Sequence, residues 1–318
     1  MSSIFNLQGA WEQAQHTPSG TPQRTIRHAY TIQAASRLIP PPVFLLLSIL
    51  SVQLGAAIAK NLFPILGSEG TVFVRISLAA LIFMSTSRPR LHNYTRHDYL
   101  LVILFGITIA AMNSLFYASI SRLPLGIAAT LEFIGPFGVA LAGSRRVSDL
   151  VWTAMAAAGI ILLAPIGGNS LDPLGIVLAL LAGGGWASYI LLNARIGRVF
   201  PGGTGLALSM SVAAILLAPF SLTRVEPLAH APVALLIGIG MAILSTVIPF
   251  SLELEALRRI PTRVFGVLMS LEPAIAALIG FVVLGETIGL RALIAIALIV
   301  IASSGVSFTG GHDNSSQT

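Results

Sequence analysis

The sequence predicts an all-α polytopic membrane protein of ten transmembrane helices, arranged as two inverted five-helix repeats. Three observations predict it. The 318 residues are 55% hydrophobic and only 9% charged, whereas a soluble domain carries about 25% charged residues. The apolar residues gather in ten runs near the length of about 20 that a helix needs to cross the hydrocarbon core. The basic residues alternate between the gaps in the way that orients membrane helices.

The ten runs lie at about 43–63, 71–87, 98–120, 124–142, 149–166, 173–193, 204–222, 231–252, 262–284 and 288–308. They are continuous rather than alternating, which excludes the strands of a membrane barrel. In lipid every backbone amide needs an internal partner, which leaves helices. An even number of spans puts both termini on one side. Thirteen basic residues fall in the N-terminal tail and on the tail's side: Arg24, Arg27, Arg37, Arg88, Arg90, Arg96, Arg145, Arg146, Arg195, Arg198, Arg258, Arg259 and Arg263. The opposite gaps hold four, Lys60, Arg122, Arg224 and Arg291. This asymmetry places both termini in the cytoplasm.

The organisation that follows is a cytoplasmic, disordered tail over 1–42, a first repeat over 43–166, a second over 172–308 and a cytoplasmic tail over 309–318. Residues 1–40 lack the apolar core of a signal peptide, so the first run is expected to be an uncleaved helix. The net charge of +6 resides in membrane loops and does not point to nucleic acid. With no cysteine, thiol catalysis, disulfides and cysteine metal sites are excluded.

Shifting the sequence by 137 residues lays 114–143 on 251–280. Nine of the thirty pairs are identical, among them Arg122/Arg259, Pro124/Pro261, Leu131/Leu268, Pro136/Pro273 and Gly143/Gly280. Shared apolar composition is the simpler explanation of such a score, but it does not predict two prolines kept at one spacing in both halves. Five helices per half is odd, so the second half enters from the other face. Transporters built this way bind cargo near the midplane between the halves.

Polar residues inside the runs are the candidate site. Glu132 lies about 12 Å into the fourth span at 1.5 Å per residue, and Glu272 is near the middle of the ninth. A carboxylate there costs on the order of 2.5–3.5 kcal/mol on insertion scales. The two are expected either to bind a substrate amine or exchange a proton, or to be structural groups bonded to a neighbouring helix. Each stands near a proline, which frees a carbonyl one turn back. Arg75 in the second span pairs with Glu132, clamps a substrate carboxylate, or snorkels to the outer surface. Gln53, Asn113 and Tyr117 are further candidates, the last two sharing a helix face. Trp186 and Tyr189 of the sixth span either line a cavity or serve as interfacial or packing aromatics. Glu253 is expected at the cytoplasmic interface beside Arg258 and Arg259. There is no GxxxxGK[ST] and no HExxH, so no ATPase or zinc-protease motif is present. No metal site, no cofactor and no enzymatic activity are expected. Ala276 and Gly280, four apart, suit helix packing within the chain or between two copies.

Several stretches carry a family resemblance. They are Gln53-Leu-Gly-Ala-Ala-Ile-Ala-Lys60, Met112-Asn-Ser-Leu-Phe-Tyr117, Pro124-Leu-Gly-Ile-Ala128 with Leu131-Glu-Phe-Ile-Gly-Pro136, Ser144-Arg-Arg146, Ala242-Ile-Leu-Ser-Thr246, Leu257-Arg-Arg-Ile-Pro-Thr-Arg263 with Leu268-Met-Ser-Leu-Glu-Pro273, and Leu284-Gly-Glu286. Through them the chain resembles the drug/metabolite transporter superfamily of the ten-helix EamA type, and within it the bacterial branch that exports threonine and homoserine. The resemblance implies proton-driven efflux of threonine-like amino acids across a bacterial inner membrane. A different metabolite or drug is the alternative cargo. A membrane enzyme or sensor on the same fold is the remoter one. The tail before residue 41 departs from the compact start expected of the family.

Overall fold

The computed structural model describes residues 41–87, 89, 94–142, 148–163, 171–200, 203–230, 232–249, 252–253 and 268–309. The expectations for the tails, for the loop arginines at 88, 90, 145, 146, 258, 259 and 263, and for the start of the ninth span lie outside these residues. So does half of the second copy of the repeated stretch.

Each predicted run coincides with a helix. The helices are α1 (Pro41–Lys60), α2 (Phe63–Ser87), α3 (Arg96–Ile120), α4 (Leu125–Glu132), α5 (Ile134–Ala142), α6 (Ser148–Leu163), α7 (Pro173–Val199), α8 (Thr204–Ser221), α9 (Pro232–Ala242), α10 (Glu272–Leu284) and α11 (Leu290–Thr309). Among the described residues all regular structure is helical. Five helices, 18 to 27 residues long, are apolar enough and long enough to cross a bilayer. The local sequence fixes the ends. Thr95 and Asp98 form a reciprocal capping box at the start of α3. The Asp172 carboxylate accepts the Leu174 and Gly175 amides at the start of α7, with Pro173 in the first turn.

Four departures from the predicted runs have local causes. The helix of the second span begins at Phe63 rather than 71 because two helical segments join across a kink at Gly67, whose φ is 66°. The sixth span runs on to Val199. The eighth is interrupted by a π-helical turn over Ile243–Val247, after which residues 248–249 are α-helical again. The fourth is broken at Phe133 into α4 and α5. Pro136 has no N–H to give the Glu132 carbonyl one turn back. The ninth span breaks at the matching place. Residues 268–269 are helical, 270 and 271 form a turn, and α10 starts at Glu272 just before Pro273. Under the 137-residue shift Ser270 stands on Phe133, so both copies interrupt their helix at one position for one reason.

The packing is reciprocal as well. Helices that correspond under the repeat meet each other, α2 with α8 and α6 with α11, while α10, the counterpart of α5, packs on α4. The remaining large contacts come in exchanged pairs. The α3–α7 contact matches that of the eighth span with α1, α5–α7 matches α10–α1, and α3–α8 matches α9–α2.

The interior is apolar around Phe105, Ile109, Tyr117, Ile120, Leu123 and Leu125. The outward faces are apolar too: Ile215, Phe220 and Leu290 are each more than 70% exposed. Such a surface suits lipid rather than water. Hydroxyl groups tie helices inside. Ser119 donates to the Gly175 carbonyl (2.9 Å) and Ser209 to that of Val102 (3.1 Å). Ala276 and Gly280 are both buried within the chain, so this pair packs inward.

The freed Glu132 carbonyl faces Gly183 of α7. A Cβ built on Gly183 would stand 2.6 Å from that oxygen and 3.3 Å from the Gly135 nitrogen. Only a hydrogen side chain lets the two backbones meet here. Gly183→Val is therefore expected to cost about 1–3 kcal/mol through overpacking, read as a lowered unfolding temperature in detergent.

Candidate functional site

The site is built where α1, α2 and α3 face the π turn and α10. Arg75, midway along α2, turns its guanidinium inward. Its Nε donates to the Thr246 hydroxyl (3.1 Å), Nη1 to the Tyr117 hydroxyl (3.1 Å) and Nη2 to the Ser245 carbonyl (3.0 Å). The guanidinium carbon lies 5.4 Å from the centre of the Tyr117 ring, within cation–π range. All three hydrogen-bond partners are neutral. Arg75 makes no ion pair with a carboxylate among the described residues, neither with Glu132 nor with another, and it does not snorkel outward.

The π turn explains why the second half can receive Arg75. Such bulges widen the helix by one residue and disturb the ordinary carbonyl ladder. Here the Ile248 amide reaches back to the Ile243 carbonyl, and the Ser245 carbonyl accepts Arg75. Ser51 of α1 donates to the Leu244 carbonyl (2.6 Å) and fixes the other side of the turn. Ser245 and Thr246 belong to the site although they were not among the sequence candidates. Their only signal was two adjacent hydroxyls in an apolar run.

Arg75, Ile76, Ile109, Met112, Asn113, Tyr189, Met210 and Thr246 enclose a cavity of about 40 Å³. A water needs roughly 10–15 Å³ by this measure. The space thus holds a few waters and is too small for an amino acid without a movement of the halves. Asn113 lies on its wall, its amide donating to the Ile109 carbonyl of its own helix (2.8 Å). Tyr189 lies on the wall with its ring 5.1 Å from Phe105. Trp186 does not line this cavity. It packs edge-on against Phe133 at the break between α4 and α5, with ring centres 5.8 Å apart.

Neither Glu132 nor Glu272 lines this cavity, and both are buried. Gln53 of α1 donates to one Glu272 oxygen (3.1 Å). Both residues are buried. The other Glu272 oxygen and the Gln53 carbonyl oxygen are buried acceptors with no donor among the described residues. Unsatisfied buried acceptors are rare and costly, and this pair wants N–H or O–H hydrogens. Glu132 ends α4, is buried, makes no side-chain hydrogen bond to a described residue, and is electrostatically coupled to both Arg75 and Glu272. Glu253 is half-buried, and the arginines expected beside it lie outside the described residues. Its carboxylate accepts from Ser48 of α1 (2.9 Å) and is coupled to Glu272. The structure thus brings seven of the eight predicted residues into one region between the halves, and leaves Trp186 at its border.

Known proteins share this chain. The EamA-like transporter family matches residues 173–308. The threonine/homoserine exporter RhtA of Escherichia coli K12 is 43% identical over 272 residues, covering 85% of this chain and 92% of that protein. The protein of the same name from Salmonella typhimurium LT2 is 40% identical over the same shares. The chain belongs to the EamA-like transporter family. As an EamA-like protein it is a membrane transporter and not an enzyme. A solved crystal structure resembles it in fold alone, with a TM-score of 0.54 at 15% identity over 85% of this chain and 99% of that one. The EamA match covers the second half, and the RhtA alignment carries the relationship across most of the first.

Proposed function

We propose that this protein is a secondary transporter that exports small neutral amino acids of the threonine and homoserine kind. The observation that carries the reading is the 43% identity to an exporter of that name over 85% of the chain. The chain crosses a bacterial inner membrane ten times as two inverted five-helix repeats, residues 43–166 and 172–308, with both termini in the cytoplasm. The matched helix breaks at Phe133 and Ser270 and the reciprocal packing support this arrangement.

The cargo is a zwitterion. Arg75 meets its carboxylate, since a guanidinium already turned into a cavity exchanges neutral partners for a charged one that binds it more strongly. Asn113, Tyr117 and Tyr189 shape the space around it. Glu272 with Gln53, and Glu132, receive the ammonium group or the coupled proton. The wall is aliphatic and polar with one aromatic side chain, Tyr189, which favours a small polar cargo over a bulky apolar one.

The test is export from cells loaded with a threonine- or homoserine-containing dipeptide. Cells expressing the chain are expected to release the free amino acid faster than matched controls, and an uncoupler is expected to remove the excess. Equal release with the protein present in the membrane would overturn the cargo assignment.

A further inference from the structure

The end of the bundle where α1 finishes and α4 begins carries a polar tie that the site does not use. Glu286 sits just past α10, in the stretch Leu284-Gly285-Glu286. Gly285 has φ 65° and its amide closes the helix on the Gly280 carbonyl. A left-handed residue there is nearly always glycine. The reversal folds Glu286 back over Gly280, and the Glu286 amide also reaches the Gly280 carbonyl (3.0 Å). Its side chain then meets the first half twice. One oxygen pairs with the Lys60 ammonium at the end of α1 (2.5 Å). The other accepts the Leu125 amide at the start of α4 (2.8 Å). Lys60 also donates to the Leu123 carbonyl (3.3 Å).

This pair differs from an ordinary surface bridge. Its side chains are 21% and 13% exposed, against 43% and 35% for Arg122 and Asp172. The start of α4 has Pro124 as its cap and no side-chain cap of its own, so Glu286 supplies from the other half the negative charge that a helix N-terminus favours. The tie is also close to the site. From Gln53 to Lys60 is seven residues of α1, and from Leu125 to Glu132 is the length of α4, each about 10 Å at 1.5 Å per residue.

A transporter that alternates access must part its halves at one end while the other stays shut. Apolar packing such as α6 on α11 resists parting. A few charge-assisted bonds can exchange for water and re-form. The geometry points to the Glu286–Lys60–α4 tie as the outer gate, closed in this structure, which opens once per cycle to release cargo. The inference rests on the exporter reading and on cytoplasmic termini.

The chain has no cysteine, so Lys60→Cys with Glu286→Cys gives a unique pair. Bridging it with a short bis-methanethiosulfonate reagent, which forms a disulfide at each cysteine, is expected to cause near-complete loss of export, with recovery on reduction. Bridged protein exporting at the reduced rate would make the tie a permanent staple and overturn the gate. Should the pair fail to insert, a second measurement decides. Met112→Cys on the cavity wall is expected to react about tenfold faster with a membrane-impermeant thiol reagent added outside when Glu286→Gln is also present. An unchanged rate overturns the gate. If the unaltered chain moves no amino acid at all, the cargo assignment fails instead, and the labelling rates still judge the gate.

Discussion

Arg75→Gln is expected to insert in the membrane and to lose export. In the proposed bound state the guanidinium trades its neutral partners for the cargo carboxylate. A hydrogen bond to a charged group is worth about 1.5–3 kcal/mol, so the loss amounts to roughly 10- to 150-fold in affinity. Arg75→Lys is expected to fall nearly as far. A lysine keeps the charge but not the planar fork that reaches Thr246, Tyr117 and Ser245 at once. This second variant separates a charge effect from a geometric one. The check is the initial rate of amino-acid release across a range of internal concentrations, at matched protein levels. A loss confined to half-saturation marks a binding role. Full activity in both variants would mean that Arg75 only staples α2 to the π turn.

Glu272→Gln is expected to act differently. The amide keeps the shape of the side chain and can still accept from Gln53, so the fold should hold. It cannot take up or release a proton. Gradient-driven export should therefore disappear, while exchange of labelled for unlabelled amino acid across the membrane continues. The second activity needs binding and rocking but no net proton movement. The comparison is made in vesicles with and without an imposed pH difference. Loss of both activities would assign Glu272 to the ammonium group rather than to coupling. Retention of both would leave it a structural partner of Gln53.

Much of the architecture was legible because lipid imposes simple rules. The apolar runs and the helical class follow from hydropathy, whereas the fourth and ninth spans were read as continuous and break before Pro136 and Pro273, where an amide is missing. Glu132, Glu272 and Arg75 stood out because charge inside an apolar run must be compensated. What the sequence did not expose is pairwise geometry across the halves. Nothing local says that Arg75 would reach the Ser245 carbonyl 170 residues away, since that carbonyl becomes available through a π turn that has no proline or glycine to mark it. Nor does the local sequence say that Ser48 of α1 would donate to Glu253, 205 residues away. Glu286 read as a common family ending and showed its contacts only once Gly285 turned it back onto α4.

The central claim is that a small amino acid passes between the halves at Arg75 and Glu272. Its most direct test is counterflow in liposomes holding the purified chain. Vesicles preloaded with unlabelled threonine are diluted into labelled threonine. The account predicts transient accumulation of label with the unaltered protein and with Glu272→Gln, and none with Arg75→Gln. Accumulation by Arg75→Gln equal to that of the unaltered protein would contradict it.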